Sequence, residues 1–123
     1  MNCEAERPVM RLRIVFGPEA MLGPGKAELL ERIDQTGSIS AAGREMGMSY
    51  KRAWMLVGTL NSMFQGPLVQ SARGGSKGGG ATLTPLGNKV LQLYRAVERR
   101  ASEAGSAELA QLQALLVDMA AGK

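Results

Sequence analysis

The chain has 123 residues, a length that fits one domain with a real hydrophobic core. Hydrophobic residues make up 45% and charged residues 21%, which is typical of a globular protein and not of a disordered chain. Aromatic residues make up only 4%, so the core must be built from aliphatic side chains and methionine. The formal net charge is +4, and its placement along the chain is more informative than its size.

Residue usage also argues against several classes of function. The chain has no histidine, so the common general base and the commonest metal ligand are missing, and its one cysteine, Cys3, has no partner. We therefore expect no enzyme, no catalytic residues, no cofactor and no metal. Lysine or carboxylate chemistry is the alternative. No apolar stretch approaches the ~20 residues of a membrane span, and acids stand where a signal peptide would be hydrophobic. We expect a cytoplasmic protein without membrane contact.

The excess positive charge lies in one segment, between Ser38 and Thr84. Its charged residues are Arg44, Lys51, Arg52, Arg73 and Lys77, with Glu45 as the one acid, and the rest of the chain sums to zero. A polyanion such as nucleic acid is expected to dock where cations gather. A basic face that is merely solvated is the alternative.

The first predicted element is a strand. The stretch VMRLRIVF alternates apolar and basic residues, which indicates a half-buried strand that ends at Gly17. Its inner side is predicted to hold Met10, Leu12, Ile14 and Phe16.

A helix is predicted to begin around Pro24 and to end at Gly37, in the left-handed conformation of a helix C-cap. Leu29, Leu30 and Ile33 are predicted to face the core. The carboxylates along this helix could be read as a catalytic pair. The spacing of Glu28 and Arg32 instead predicts an ion pair on a solvated face.

The next segment, SISAAGREMGMSYKRAWMLVGTLNSMF, has the pattern of two helices joined by a tight turn. Ser38 or Ser40 can cap the first helix, Gly47 breaks it, and Ser49 can cap the second. The inward positions of the first helix are Ile39, Ala42, Gly43 and Met46, with small residues where the helices must cross closely. This is the helix-turn-helix pattern.

The second helix is predicted to bury one face and expose the other, at about 100° per residue. The buried face holds Ala53, Leu56, Val57, Leu60 and Phe64, and the exposed face holds Lys51, Met55, Gly58 and Ser62, flanked by Arg52 and Thr59. Arg or Lys in the first turn of a recognition helix can reach guanine, and Ser and Thr are tolerant partners. An ordinary amphipathic helix with solvated cations is the alternative. Tyr50 and Trp54 fall at the boundary of the two faces, where we expect an anchoring role.

A glycine-rich loop, RGGSKGGG, follows between two predicted strands. It lacks the Gly-Lys-Ser/Thr ending of a Walker phosphate loop and the spacing of a dinucleotide fingerprint. A hairpin directly after a recognition helix is typical of a winged helix, in which the tip lies along the DNA backbone or minor groove. Arg73, Ser76 and Lys77 are its candidate contacts. A tip that contacts nothing is the alternative.

Thr84 and Pro85 signal the start of a long helix. Its apolar positions are Leu86, Val90, Leu93, Tyr94, Val97 and Ala101, and after an interruption at 104–106 the spacing returns at Leu109, Leu112, Leu116 and Met119. Two apolar stripes in so small a chain favour burial against a second copy. We assign dimerisation to Leu93, Tyr94, Val97, Leu109, Leu112 and Leu116. A monomer whose last helix folds back on its own core is the alternative.

The predicted fold is therefore mainly α with a small antiparallel sheet: a winged helix-turn-helix with long C-terminal dimerisation helices. We place the DNA-binding domain at residues 9–104 and a C-terminal dimerisation helix at 105–123. The residues assigned to DNA are Ser38, Ser40, Ser49, Tyr50, Lys51, Arg52, Met55, Thr59, Arg73, Ser76 and Lys77.

The stretch from LLERIDQTGSISAAGREMGMSYKRAWMLVGTLNSMF through GGSKGGGATLTPLG resembles the N-terminal DNA-binding domain of the ModE family of molybdate-dependent regulators, winged-helix relatives of the LysR type. The resemblance covers roughly residues 9–104, and MSYKRAW with the glycine-rich wing and LTPLG carries it most specifically. It implies a transcription regulator linked to molybdenum metabolism that binds a palindromic operator as a homodimer, with residues 49–52 in the major groove and the wing at 73–80.

Members of this family that sense molybdate carry small oxyanion-binding β-barrel domains after the winged helix. Here about 19 residues follow Ala104, patterned as one helix, so direct molybdate binding is not expected of them. The competing function is a protein interaction module, whose apolar C-terminal stripe binds another regulator while its contact with DNA is weak or absent.

Overall fold

The computed structural model describes residues 9–72 and 80–117. Along these residues the elements are, in chain order, β1 (Ile14–Gly17), β2 (Ala20–Leu22), α1 (Pro24–Thr36), α2 (Ile39–Glu45), α3 (Tyr50–Met63), β3 (Val69–Ala72), β4 (Gly80–Leu83), α4 (Pro85–Ala104) and α5 (Ser106–Ala114). The strands pair as two antiparallel hairpins, β1 with β2 and β3 with β4. The predicted fold class, mainly helical with small antiparallel sheets, is confirmed.

The N-terminal hairpin differs from its prediction. The strand begins only at Ile14, and a second strand, β2, pairs with it, placing Ile14 opposite Leu22. The register shifts between Val15 and Gly17. Because this irregularity breaks the alternation of faces, Phe16 is 60% exposed, and its predicted place on the inner side is wrong.

Helix α1 has the predicted start and end. Pro24 stands in its first turn, and Gly37, at φ 72°, donates its N–H to the carbonyl of Ile33 at 2.8 Å. The predicted ion pair between Glu28 and Arg32 is present at 2.6 Å. Arg32 also donates to Glu45 at 2.8 Å, so this solvated face helps to tie α1 to α2.

One core of mostly aliphatic side chains joins all of the helices except α5 to both hairpins. Its buried members include Leu22, Leu29, Leu30, Ile33, Ile39, Val57, Leu60, Leu68, Leu83, Val90 and Tyr94. Tyr94 is the aromatic residue of this set, as expected from the low aromatic content. The core fixes α3 and the second hairpin relative to α1.

The hairpin β3–β4 is attached to the body at its base. Val69 pairs with Leu83 and Ala72 with Gly80, and the N–H of Ala81 donates to the carbonyl of Gly37 at 2.9 Å. The predicted pair of strands is confirmed. The glycine-rich tip, with Arg73, Ser76 and Lys77, lies outside the described residues.

Helix α4 begins as predicted, with Pro85 in its first turn and the hydroxyl of Thr84 accepting the N–H of Gly87 at 2.9 Å. Gly87 lies directly against the chain before β3, because a Cβ at this position would stand 2.1 Å from the carbonyl oxygen of Leu68. Only glycine fits this contact between α4 and the hairpin.

One dimerisation residue requires correction. Tyr94 is 2% exposed, and its hydroxyl donates to the carbonyl of Leu12 at 2.6 Å. Its ring belongs to the core of its own chain, so its assignment to a dimer interface is wrong. Leu93 and Tyr94 are both among the apolar positions of α4. Spacing alone does not show which of them packs against the chain's own core and which is left exposed.

The last helix does not cover the core. No residue of α5 is buried. Residues 106–114 therefore do not fold back on the core, as the alternative had it. Within the part of the chain that the structure describes, no helix has both the length and the apolar character needed to cross a membrane.

Candidate nucleic-acid interface

Both helices of the predicted helix-turn-helix are capped by serine. The hydroxyl of Ser38 accepts the N–H of Ala41 at 3.0 Å, and that of Ser49 accepts the N–H of Arg52 at 3.1 Å. Ser40 does not cap the helix; its oxygen lies 3.3 Å from that of Ser38. These caps fix where α2 and α3 begin.

The two helices cross at small residues, as predicted. A Cβ at Gly43 would stand 2.8 Å from the Cβ of Ala53, closer than carbon atoms approach without a shift. Between the helices, Gly47 takes φ 75°, a left-handed conformation that suits glycine. The crossing therefore fixes how far α3 stands out from the body.

The two faces of α3 are those predicted. Ala53, Val57 and Leu60 are buried, and Leu56 and Phe64 pack partly buried against the core. The residues predicted on or beside the outer face are all exposed: Lys51, Arg52, Met55, Gly58, Thr59 and Ser62. Neither α3 nor the strands β3 and β4 contain an acidic residue, so the outward surface of this segment carries only positive charge and neutral groups.

The hydroxyl of Thr59 already has a partner. It donates to the carbonyl of Met55 at 3.1 Å, one turn earlier in α3. With its proton used in this way, the oxygen presents lone pairs to an approaching molecule, and the methyl group of the side chain is free for apolar contact. Thr59 is therefore suited to accept from a base amino group or to touch a thymine methyl.

Tyr50 and Trp54 differ from their prediction. Tyr50 is 62% and Trp54 46% exposed, and their rings contact each other edge to face with centroids 6.0 Å apart. They anchor nothing in the core, so the expected anchoring role is wrong. One turn apart at the start of α3, they add apolar surface beside Lys51.

Asn61 is a residue that the sequence patterns did not single out. Its Oδ1 accepts the N–H groups of Leu68 and Val69 at 2.8 and 3.0 Å, and its Nδ2 donates to the carbonyl of Val69 at 3.1 Å. One side chain of α3 thus holds the first residues of the hairpin. The base of the wing is therefore tied to the recognition helix by three hydrogen bonds.

The predicted DNA-binding residues fall into three groups. Six lie exposed on α3 or at its cap: Ser49, Tyr50, Lys51, Arg52, Met55 and Thr59. Ser38 and Ser40 are half-buried at the start of α2. The residues of the wing tip lie in the range 73–79 and are not described. The structure brings the six positions together on the outer side of α3, and Asn61 of the same helix holds the start of the hairpin.

The predicted dimerisation residues other than Tyr94 lie at or near the surface. Leu93 is 57% and Val97 44% exposed on α4, and Leu112 and Leu116 are 62% and 61% exposed in or just after α5. Leu109 is half-buried. No described part of the chain covers most of this apolar surface.

A three-helix core with a helix-turn-helix, followed by a hairpin whose start is held by Asn61 of the second helix of the pair, defines a winged helix-turn-helix domain. The profile described as "Bacterial regulatory helix-turn-helix protein, lysR family" matches residues 25–88, which run from α1 into the first turn of α4. The chain belongs to this family of bacterial regulators.

Several molybdenum-related proteins are similar to the chain. It is 49% identical over 79 residues to the molybdenum-pterin-binding protein MopB of Rhodobacter capsulatus, covering 64% of this chain and 29% of that protein. The molybdenum transport protein ModE of Azotobacter vinelandii is 36% identical over 94 residues, covering 76% of this chain and 35% of that protein. The DNA-binding transcriptional dual regulator ModE of Escherichia coli K12 is 42% identical over 71 residues, covering 58% and 27%.

The match therefore spans about a third of the length of these relatives. These matches confirm the resemblance to ModE proteins, which was based on the segment MSYKRAW and the glycine-rich wing.

Proposed function

We propose that this chain is a transcription regulator that binds duplex DNA through the exposed face of α3 and the hairpin β3–β4. The observation that carries the proposal is that an acid-free helix face, with Lys51 and Arg52 in its first turn, is tied by Asn61 to the base of the wing. A helix placed in this way enters a major groove while the hairpin follows the neighbouring backbone.

Sequence preference would come from Lys51, Met55 and Thr59, which lie along one exposed stripe of α3. Lysine donates to guanine O6 and N7, threonine accepts or makes methyl contact, and methionine packs on thymine methyl groups. Tyr50 stands beside this stripe and adds an apolar contact and one hydroxyl. The wing residues Arg73, Ser76 and Lys77 are proposed phosphate contacts, on the strength of their charge and hydroxyl groups and their place after β3.

We further propose that the regulator acts as a homodimer on a palindromic operator. The support is the apolar surface of Leu93 and Val97 on α4, continued by Leu109, Leu112 and Leu116 beyond Gly105. A fully buried leucine contributes about 1.5–3 kcal/mol, so burial of this surface in both copies would favour a dimer. In this scheme residues 9–104 bind DNA and residues 105–123 contribute to the dimer.

A link with molybdenum metabolism is proposed from the relatives, which are named for molybdenum transport and molybdenum-pterin binding. Because the match covers only the parts of those proteins given above, no molybdate site is proposed on this chain. A cytoplasmic location follows from a function on DNA.

Selection of bound duplexes from a random pool tests this function. We expect enrichment of an inverted repeat whose half-sites are one helical turn, or a multiple of it, apart, since a two-fold dimer presents two copies of α3. Enrichment of a single, non-repeated site would contradict the dimer. Retention of no duplex at low ionic strength would contradict DNA binding.

A protein interaction module is the second candidate, favoured by one observation: α5 buries none of its own residues. In that case the exposed leucines would bind another regulator instead of a second copy. Light scattering separates the two functions, because the module would be monomeric when alone. The module would also fail to bind DNA at low ionic strength.

A further inference from the structure

A basic groove lies beside the recognition helix. Its volume is about 370 Å³, and Arg13, Lys26 and Arg52 line it without any acidic residue. These cations come from three separate elements: the residue before β1, the first turn of α1 and the first turn of α3. Three distant segments of the sequence thus bring positive charge to one concave surface.

The side chains are held at this groove by contacts of their own. The ammonium group of Lys26 donates to the carbonyl of Met21 at 2.9 Å and to the Sδ of Met63 at 4.0 Å, which leaves one of its hydrogens for a ligand. The stem of Arg13 lies along Gly23, where an added Cβ would stand 3.6 Å from its Cγ. Arg13 and Arg52 are both exposed.

None of the three cations forms an ion pair with a residue that the structure describes. Arg32 and Arg95, in contrast, each bind two carboxylates. Like charges gathered in one groove repel each other until an anion enters. The groove is therefore complementary to an anion that offers several oxygen atoms.

The position of the groove identifies the source of the anion. The groove is lined by two residues of α3, Arg52 and Leu56, and by Met48, which lies two residues before this helix. These three positions are spaced four residues apart. This stripe adjoins the one that holds Lys51, Met55 and Thr59. When a helix lies in a major groove, a sugar–phosphate backbone runs along its side.

We infer that the groove binds a backbone phosphodiester of the same duplex whose bases face α3. The inference rests on the proposed function and deepens it. It adds Arg13 and Lys26 to the DNA-binding residues and assigns Arg52 to the backbone in place of guanine. The phosphate contacts of this groove then add to those proposed for the wing residues.

Arg11 provides a matched control. It is also exposed and stands two residues before Arg13, but it lines a different groove, together with Glu28 and Glu98. Replacing Arg11 or Arg13 by glutamine removes the same charge from nearly the same place in the sequence. Any difference in DNA affinity between the two variants therefore measures the contribution of the groove that Arg13 lines.

The test is the affinity of the full chain for a short duplex, measured by fluorescence anisotropy over a range of salt concentrations. For each of Arg13→Gln, Lys26→Gln and Arg52→Gln, we expect the slope of log K against log salt to fall by about 0.9 per bound protomer, as for one phosphate contact. At low salt the affinity should fall on the order of tenfold, as expected for a lost charge-assisted hydrogen bond, and equally on selected and scrambled duplexes. Arg11→Gln should leave the slope unchanged.

The outcomes separate this inference from the function on which it rests. A wild-type chain that binds no duplex contradicts the proposed function itself. A wild-type chain that binds, with Arg13→Gln behaving like Arg11→Gln, overturns the groove assignment alone. A loss for Arg52→Gln at one base position only would make Arg52 a base contact and overturn its new role.

A last arm tests a small anion as the occupant. Inorganic phosphate is titrated into the free protein at constant ionic strength and followed by amide resonances. If Arg13→Gln and Lys26→Gln abolish phosphate binding but leave the salt slope for DNA unchanged, the groove serves a free oxyanion and the inference is wrong. A smaller slope of log K against log salt for DNA in these two variants supports the inference.

Discussion

Asn61 and Val69 hold each other by two hydrogen bonds, with Nδ2 donating to the Val69 carbonyl at 3.1 Å and Oδ1 accepting the Val69 N–H at 3.0 Å. Asn61→Ala leaves these groups and the N–H of Leu68 without their partner. We expect a loss of about 2–4 kcal/mol in the free energy of unfolding, measured by urea titration. Affinity for DNA should fall as well, since the wing loses its attachment to α3.

Ser62→Ala is the control for this prediction. The hydroxyl of Ser62 donates only to its own helix, at the carbonyl of Gly58, so its removal should change stability by less than about 0.5 kcal/mol. Equal stability of the two variants would show that Asn61 does not hold the hairpin.

Gly87 makes the second prediction. Its Cα faces the Leu68 carbonyl so closely that a Cβ would stand 2.1 Å from the oxygen, and no rotamer can relieve a backbone clash. Gly87→Ala should destabilise the chain by about 3 kcal/mol or more. Gly58→Ala is the matched change within α3, where nothing lies within 4 Å, and it should stabilise by about 0.5–1 kcal/mol. Thermal unfolding of both variants checks the difference in sign.

Tyr94 predicts a dependence on pH. Burial raises the pKa of its phenol above the ordinary value of about 10, and the nearby Glu98 carboxylate raises it further. The unfolded chain therefore loses this proton first. The contribution of Tyr94 to stability is complete below about pH 10 and is lost as the pH rises through the folded-state pKa.

Tyr94→Phe isolates this effect. It removes the hydrogen bond to the Leu12 carbonyl and should cost about 1 kcal/mol at neutral pH. Above about pH 10, the variant should lose stability less steeply than the wild type. Parallel curves of unfolding free energy against pH would show that Tyr94 does not titrate in this range.

The dimer is tested at Leu93, which is 57% exposed on α4. Placing a charge in a buried apolar interface is costly, so Leu93→Asp should shift the chain toward monomer in sedimentation equilibrium. Val15→Asp is the control, because Val15 is 63% exposed on β1, outside the proposed interface. If neither variant changes the mass in solution, or if both change it equally, Leu93 is not at a dimer contact.

Base recognition is tested at Lys51. Lys51→Ala should cost about 1–3 kcal/mol on the selected duplex and much less on an unrelated one, as a base contact does. Lys89→Ala removes another exposed charge, on α4, and should leave the preference unchanged. A uniform loss on both duplexes would assign Lys51 to the backbone.

Local features of the fold were predictable because their causes lie within a few residues. The caps at Ser38, Ser49 and Thr84 and the left-handed glycines at 37 and 47 depend on one side chain or one backbone angle. The faces of α3 follow from helical periodicity alone. These features were enough to predict the helix-turn-helix and the hairpin after it.

Features that depend on a second element could not be predicted in this way. Phe16 is exposed because a register shift in the first hairpin breaks the alternation of its strand. Asn61 is one of several polar residues in α3, and only the position of β3 gives it three partners. The basic groove needs Arg13, Lys26 and Arg52 from segments whose packing no local pattern contains.

The claim that α3 and the hairpin form one DNA-binding surface is tested most directly by titrating the isotope-labelled chain with a short duplex at low ionic strength and following its amide resonances. We predict that the largest shifts fall on residues 50–59 of α3 and on the strands β3 and β4, together with Arg13 and Lys26. Shifts confined to α4 and α5, with Lys51 and Thr59 unchanged, would contradict it.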